Sequence, residues 1–449
     1  MKTRIVKVGT TQLGAFRDPP GPTHLDSWTV DGTSGSDLAS LTEAAQYLRE
    51  KDTPVAFPTE TVYGLGADAQ RSAAVKGIYA AKGRPSDNPL IVHVCDLDML
   101  RGLLVPGKEE GQGRGGEDPI PDIYKPLIER FWPGPLTILL PSPTPSKLAP
   151  EVTAGLPNFG ARMPSSALAR SLIKLADAPL AAPSANASTK PSPTTAQHVL
   201  EDLDGRIELI LDGGSCQVGV ESTVVDGLCD PPVILRPGGV SLQELRECPG
   251  WEGAAKAYKD HSEEGKATPR APGMKYKHYS PKAKVVLYES SFSNGSKGVV
   301  EADRENVPVA NGVATSVEVN GNSAQGTSGR RVGIIRTRRW GAGGGFKHEH
   351  LMPSTGTSQV ASETNGVEEQ SYVVEEGNLI DDEGRTVGRI LDINLGKDIR
   401  RIAQGLFSAL RELDRRGADI IFVDGIEDDI DIAGAVMNRL RKAATDIRA

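Results

Sequence analysis

The sequence predicts an α/β protein of two domains, and three observations carry that expectation. Short apolar runs alternate with amphipathic stretches from about residue 36 to 250, and again from 283 to 449, the pattern of helices laid on a twisted sheet. A chain of 449 residues exceeds one ordinary core. Residues 251–282 between the two stretches turn polar and then basic and aromatic, the composition of a connection.

The alternation across Thr3–Val8 reads as a strand. Ser40 and Glu43 form a capping box ahead of Leu41, Ala44, Ala45 and Leu48, so a helix is predicted from Ser40 to just before Pro54. Val55–Phe57 starts a strand that delivers the run PTETVYGLG at 58–66. A helix from about Ser72 to Ala81 leads into Lys82-Gly83-Arg84-Pro85, and Pro89–Val94 reads as a strand. Residues 108–122, rich in glycine and charge, predict a mobile loop.

The alternation continues with strands near 136–140, 179–183, 207–211, 223–226 and 232–236 and a helix near 166–176. Beyond 282, strands are predicted at 284–288, 332–336 and 419–423. Ile399, Ile402, Leu406, Leu410 and Leu413 form an amphipathic helical stripe, and a last helix holds Val436, Leu440 and Ala443. These make a smaller, Rossmann-like C-terminal α/β domain. Residues 290–330 and 341–370 carry too little apolar area to offset the entropy of ordering and predict loops or disorder.

With 38% hydrophobic residues and no apolar run near the length of a span, a soluble chain that uses no membrane is expected. A net charge of -8 argues against coating nucleic acid, where affinity rests on neutralising phosphates. Cys95, Cys216, Cys229 and Cys248 show no CxxC pairing, so no metal held by protein side chains is expected. The expected location is the cytoplasm. Lys2, Arg4, Lys7 and Arg17, with no acid among them, leave an additional mitochondrial pool open.

The chemistry concentrates in the first domain. A triphosphate gripped without a Walker loop needs backbone-exposing glycines, hydroxyls and clustered cations, and 58–90 supplies all three. Taken alone, Lys82-Gly83-Arg84-Pro85 is helix-ending chemistry; its company, the PTET turn before it and Asn88-Pro-Leu after it, favours a phosphate site. The match of Gly64–Ala69 to a dinucleotide fingerprint is weak, because Thr59, Glu60 and Thr61 before it are polar. His93 reads equally as a core histidine or a pocket residue. His348 and His350, in a glycine-rich stretch, read as exposed and not as a metal site. Arg162, between apolar neighbours, requires an anionic partner. The polar motifs at 183–186, 221–224 and 235–238 would each pass for turns, but several such motifs at the ends of one sheet converge on one crevice.

Together PTETVYGLG, KGRPSDNPL, FWPGPLT, ARMP, PSAN, ESTVVD, LRPG and the later PGMKYKHYSP resemble the two-domain, YrdC-type threonylcarbamoyl-AMP synthases, and GAVMNRLRK at 434–442 is similar to the end of that family's C-terminal domain. The resemblance implies domains at 36–250 (catalytic, YrdC-like), 251–282 (linker and lid) and 283–449. It implies that L-threonine, bicarbonate and ATP, with Mg²⁺, give threonylcarbamoyl-AMP and pyrophosphate. A tRNA threonylcarbamoyl-transferase complex then uses the adenylate to modify adenosine beside the anticodon, tRNA itself being an indirect partner.

Carried over to this sequence, Lys82 and Arg84 would be catalytic and hold the ATP phosphates with Ser184, Asn186 and Arg236, with Thr137 on the nucleotide side and Tyr276 closing over the pocket. Thr59, Thr61, His93, Arg162 and Ser222 would surround threonine. No side-chain nucleophile is required: a carbamate oxygen attacks the α-phosphorus, and cations offset the repulsion of the two anions. The competing readings are a carbamoyltransferase-type YrdC protein, which would carry zinc-finger CxxC pairs absent here, and a tRNA or double-stranded-RNA-binding module.

Overall fold

A computed structural model describes residues 2–9, 13–17, 24–31, 35–106, 118–258, 278–292, 297–307, 329–354, 372–428 and 432–449. The first domain is built on a mixed sheet. Its strand order is Arg4–Lys7, Leu209–Asp212, Val55–Pro58, Tyr63–Asp68, Leu180–Ala181, Ile91–His93, Asn158–Arg162, Leu136–Pro141, Thr223–Asp226, Val233–Arg236 and Ala255–Lys256. Helices Ser36–Glu50 and Ala167–Ala176 bury Leu41, Leu48, Leu168 and Leu172 with Val55 and Phe57 in one apolar layer. A second layer gathers Val75, Ile78, Leu100 and Leu127 around Tyr63, Val92 and Ile138.

Local differences from the sequence reading have physical causes. The first helix starts at Ser36, not Ser40, and the Ser40 hydroxyl donates to the Ser36 carbonyl one turn back in place of capping. The sheet extends beyond 36–250, because Arg4–Lys7 pairs in parallel with Leu209–Asp212 and Ala255–Lys256 with Val233–Arg236. Trp251, read as linker, is fully buried beside Tyr124 and donates to the Ile123 carbonyl at 2.8 Å. Most of 108–122 lies outside the described residues.

The second sheet runs His348–Pro353, Val374–Ile380, Thr386–Asn394, Arg330–Arg336, Ile420–Asp424, Lys284–Tyr288 and Asp446–Arg448. Its last five strands are parallel; Ile420–Asp424 stands between Arg330–Arg336 and Lys284–Tyr288. Order reaches into both stretches read as loops, with helix Glu301–Glu305 in the first and strand His348–Pro353 in the second. His350 is exposed and His348 half-buried on that strand, which is held by Val374–Ile380.

The domains pack tightly where the site lies. Helix Ile399–Arg415 approaches Gly219 so closely that a Cβ there would fall 2.2 Å from Gln404 Cα, and Gly219 has φ 79°. Arg411 of this helix grips the buried Asp202 carboxylate with two bonds, at 2.7 and 3.1 Å. Val62 and Val220 of the first domain belong to the same apolar cluster as Tyr279, Leu406 and Phe407.

Candidate active site

The polar motifs are brought together because their strands end on one edge of the first sheet. Val55–Pro58 runs out into Thr59 and Thr61, Leu180–Ala181 into Ser184 and Asn186, and the antiparallel strand starting at Tyr63 bridges back through Gly64 to Ser184. Ile91–His93 and Asn158–Arg162 are parallel neighbours, and His93 and Arg162 stand opposite each other at their last positions. In Thr223–Asp226, Val224 stands opposite Thr137 on one side and Arg236 on the other, which leaves Ser222, just before the strand, bonded to both.

The result is a single cleft. Thr59, Thr61, Arg84, His93, Arg162, Ser184, Asn186, Ser222 and Arg236 all line it. Two assigned residues stand apart. Thr137 lines a smaller apolar recess with Pro89, Leu90, Leu139, Asn158 and Val224; it meets Ser222 Oγ at 2.8 Å, and Ile91 is common to both cavities. Lys82 is buried outside the lining: its ammonium donates to the carbonyls of Ser184 at 2.5 Å and Asn186 at 2.8 Å. It therefore fixes the 184–186 turn from behind. Burial, reinforced by the Arg84 charge, pushes its pKa well below that of an ordinary lysine. Tyr276 lies outside the described residues.

Sequence reasoning missed several groups. Arg162 is ion-paired at 2.7 Å with Glu60, whose carboxylate is as buried as the guanidinium, and its Nη1 donates to Thr61 Oγ1 at 2.9 Å. Ser192 and Glu221 join the lining, the serine donating to the carboxylate at 2.6 Å. Asn88 is fully buried with neither amide atom hydrogen-bonded, while Tyr79 holds its carbonyl at 2.7 Å. Asn88 stands within KGRPSDNPL, but it lines neither cavity, and the structure gives its side chain no place in the site. His278 and Tyr279, of the basic aromatic string, reach the cleft wall, and Tyr279 stacks on Phe407 at 5.2 Å.

The cleft is strongly cationic for its degree of enclosure. Arg236 donates from Nε and Nη2 to the Ser222 carbonyl at 3.1 and 3.0 Å, and burial lowers its pKa to about 10. Burial and then the Arg162 charge hold the pKa of His93 down at about 3, so its imidazole is neutral near pH 7. The described residues include no group of three or more His, Cys, Asp or Glu able to hold a metal.

An open α/β sheet with guanidinium groups, hydroxyls and a buried amide converging on a strand-end cleft defines an enzyme of the anion-binding class. Two family profiles divide the chain: one described as "Telomere recombination" matches residues 47–238, and one described as "Threonylcarbamoyl-AMP synthase, C-terminal domain" matches 240–445. The chain is 42% identical to a Schizosaccharomyces pombe protein named threonylcarbamoyl-AMP synthase, over 99% of this chain and 98% of the relative. It is 38% identical to a Bacillus subtilis protein of the same name, over 93% and 97%. A crystal structure of Pyrococcus abyssi Sua5 complexed with L-threonine superposes with a TM-score of 0.66 at 34% identity, covering 99% of each chain. The chain belongs to the two-domain threonylcarbamoyl-AMP synthase family.

Proposed function

We propose that the protein is a nucleotidyltransferase that makes threonylcarbamoyl-AMP from L-threonine, bicarbonate and ATP, releasing pyrophosphate and water. The single observation that carries the reading is the joining of Arg84, Arg162 and Arg236 in one enclosed cleft, where two anions would otherwise repel. The threonine amine first captures bicarbonate as a carbamate, with loss of water. A carbamate oxygen then bonds to the α-phosphorus as the bond to the pyrophosphate oxygen breaks.

In this reading Arg162, oriented by Glu60 and Thr61, receives the threonine carboxylate, with Thr59, His93 and Ser222 around the rest of the amino acid. Arg84 and Arg236 face the phosphates, and Lys82 presents Ser184 and Asn186 to them. The smaller, mostly apolar recess beside it, with Thr137 and Asn158 as its polar edge, would have to open to take a planar base. Mg²⁺ would enter as the nucleotide's own counter-ion, adding charge neutralisation, since Glu60 and Glu221 are already tied to arginines.

Enclosure protects the carbamate, which water would hydrolyse, and His278 and Tyr279 close one wall. The product then passes to a tRNA threonylcarbamoyl-transferase complex; a net charge of -8 supports an indirect role for tRNA. No described helix is long and apolar enough to cross a membrane. We read the chain as cytoplasmic, and Arg4 and Lys7, spent in a sheet strand, support a structural use of the basic N-terminal segment. The test is pyrophosphate release. It should require threonine and bicarbonate together with ATP, and release that ignores both would refute the reaction.

A further inference from the structure

The proposed reaction leaves one group of the second domain unused. Arg439, in helix Ala433–Ala443 and within the GAVMNRLRK string, is completely buried. Its Nε donates to Glu221 Oε2 at 3.0 Å and its Nη1 to the Pro237 carbonyl at 2.6 Å. Its guanidinium carbon also lies 5.7 Å from the centre of the Tyr279 ring. Glu221 immediately precedes Ser222 and Pro237 immediately follows Arg236. One cation of the second domain therefore joins the two segments that carry Ser222 and Arg236, and touches the tyrosine of the cleft wall.

Glu221 faces the cleft and is an anion where anionic ligands are expected. Burial alone would raise its pKa; the charges of Arg439 and then Arg236 overcome that and hold it down at about 2. A buried carboxylate keeps a cation or suffers a large desolvation penalty. Without Arg439, the strongest cationic influence left on it is Arg236, the residue given above to the phosphates.

We infer that Arg439 is a positioning residue: by holding Glu221 it stops that carboxylate from capturing Arg236, and so leaves Arg236 to the nucleotide. The inference rests on the phosphate-binding reading of Arg236. It makes the second domain part of the electrostatics of the site and not only a support for the linker.

Equilibrium titration of ATP into the full chain, without threonine, tests it through a rescue that a merely structural role would not produce. Arg439→Met is expected to weaken ATP binding by about tenfold or more. Adding Glu221→Gln to that variant removes the competing anion and is expected to restore affinity to within about threefold of the parent. Parent-like binding by Arg439→Met, or a double variant no tighter than the single, would overturn the inference. Should Arg439→Met fail to fold by circular dichroism, Glu221→Gln alone decides: it is expected to bind ATP at least as tightly as the parent, and weaker binding overturns the proposal. A parent that binds ATP but shows no threonine-dependent pyrophosphate release would sink the reaction while leaving this pattern of affinities to stand or fall separately.

Discussion

The Lys82 ammonium donates to the Asn186 backbone carbonyl at 2.8 Å, so the cation that most resembles a phosphate ligand in sequence is used to build the loop that faces the cleft. Arg84, two residues on, lines the cleft itself. Neighbouring cations of one motif thus stand differently, one holding protein and the other facing the cleft.

Replacing each separates the two. Lys82→Ala and Arg84→Ala should both abolish threonine-dependent pyrophosphate release. Lys82→Ala leaves buried carbonyls without a donor and should also cost about 2–3 kcal/mol of stability, whereas Arg84→Ala, at a half-buried position, should cost less than about 1 kcal/mol. Urea unfolding of both variants checks this; equal losses of stability would contradict the division of roles.

Arg162 lies 2.7 Å from the Glu60 carboxylate through one nitrogen and donates to Thr61 Oγ1 through another, a pair of contacts that a lysine cannot reproduce. Arg162→Lys should raise the KM for threonine by about 10–100-fold and change the KM for ATP far less. Initial-rate kinetics with each substrate varied in turn provides the measurement, and a larger effect on ATP would reassign Arg162 to the nucleotide.

Tyr279 stacks on Phe407 at 5.2 Å, and its hydroxyl meets Glu221. Tyr279→Phe should keep most of the turnover, while Tyr279→Ala, which opens the wall and removes about 2–3 kcal/mol of apolar burial, should lower kcat/KM by about tenfold or more. The comparison fails if the two variants behave alike.

Burial holds His93 and His198 at pKa values of about 3, aided by the charges of Arg162 and Arg411 respectively. Unfolded histidine titrates near 6.5, so as pH falls below that value the unfolded chain takes up protons that the folded chain refuses. The stability these neutral rings allow is therefore complete above about pH 7 and declines toward pH 3, by about 2 kcal/mol per histidine at about pH 5. Denaturant unfolding across that range should show the slope, and His93→Gln with His198→Gln should reduce it, the buried His278, also held at about 3, keeping its own share; an unchanged slope would contradict neutral, buried rings.

Much of this was legible because strand ends announce themselves. Thr59, His93, Arg162, Ser184 and Arg236 each close or follow a short apolar run, and one sheet must gather such ends on an edge. What stayed hidden depended on distance along the chain. Nothing local ties Glu221 to Arg439, 218 residues away, or Asp202 to Arg411, 209 away. The partnership of Glu60 with Arg162 is equally invisible, because the turn after Val55–Pro58 meets the end of Asn158–Arg162 across three intervening strands. Trp251 was read as linker because a single aromatic among polar residues gives no periodicity, although it completes the core beside Tyr124.

The central claim is that one cleft joins threonine, bicarbonate and ATP into an adenylate. Mass analysis after mixing the protein with ATP, isotopically labelled bicarbonate and each amino acid in turn tests it most directly. The expected product is an adenylated carbamoyl-threonine that carries the labelled carbon and forms with threonine in strong preference to other amino acids. An adenylate lacking that carbon, or none with threonine, would contradict it.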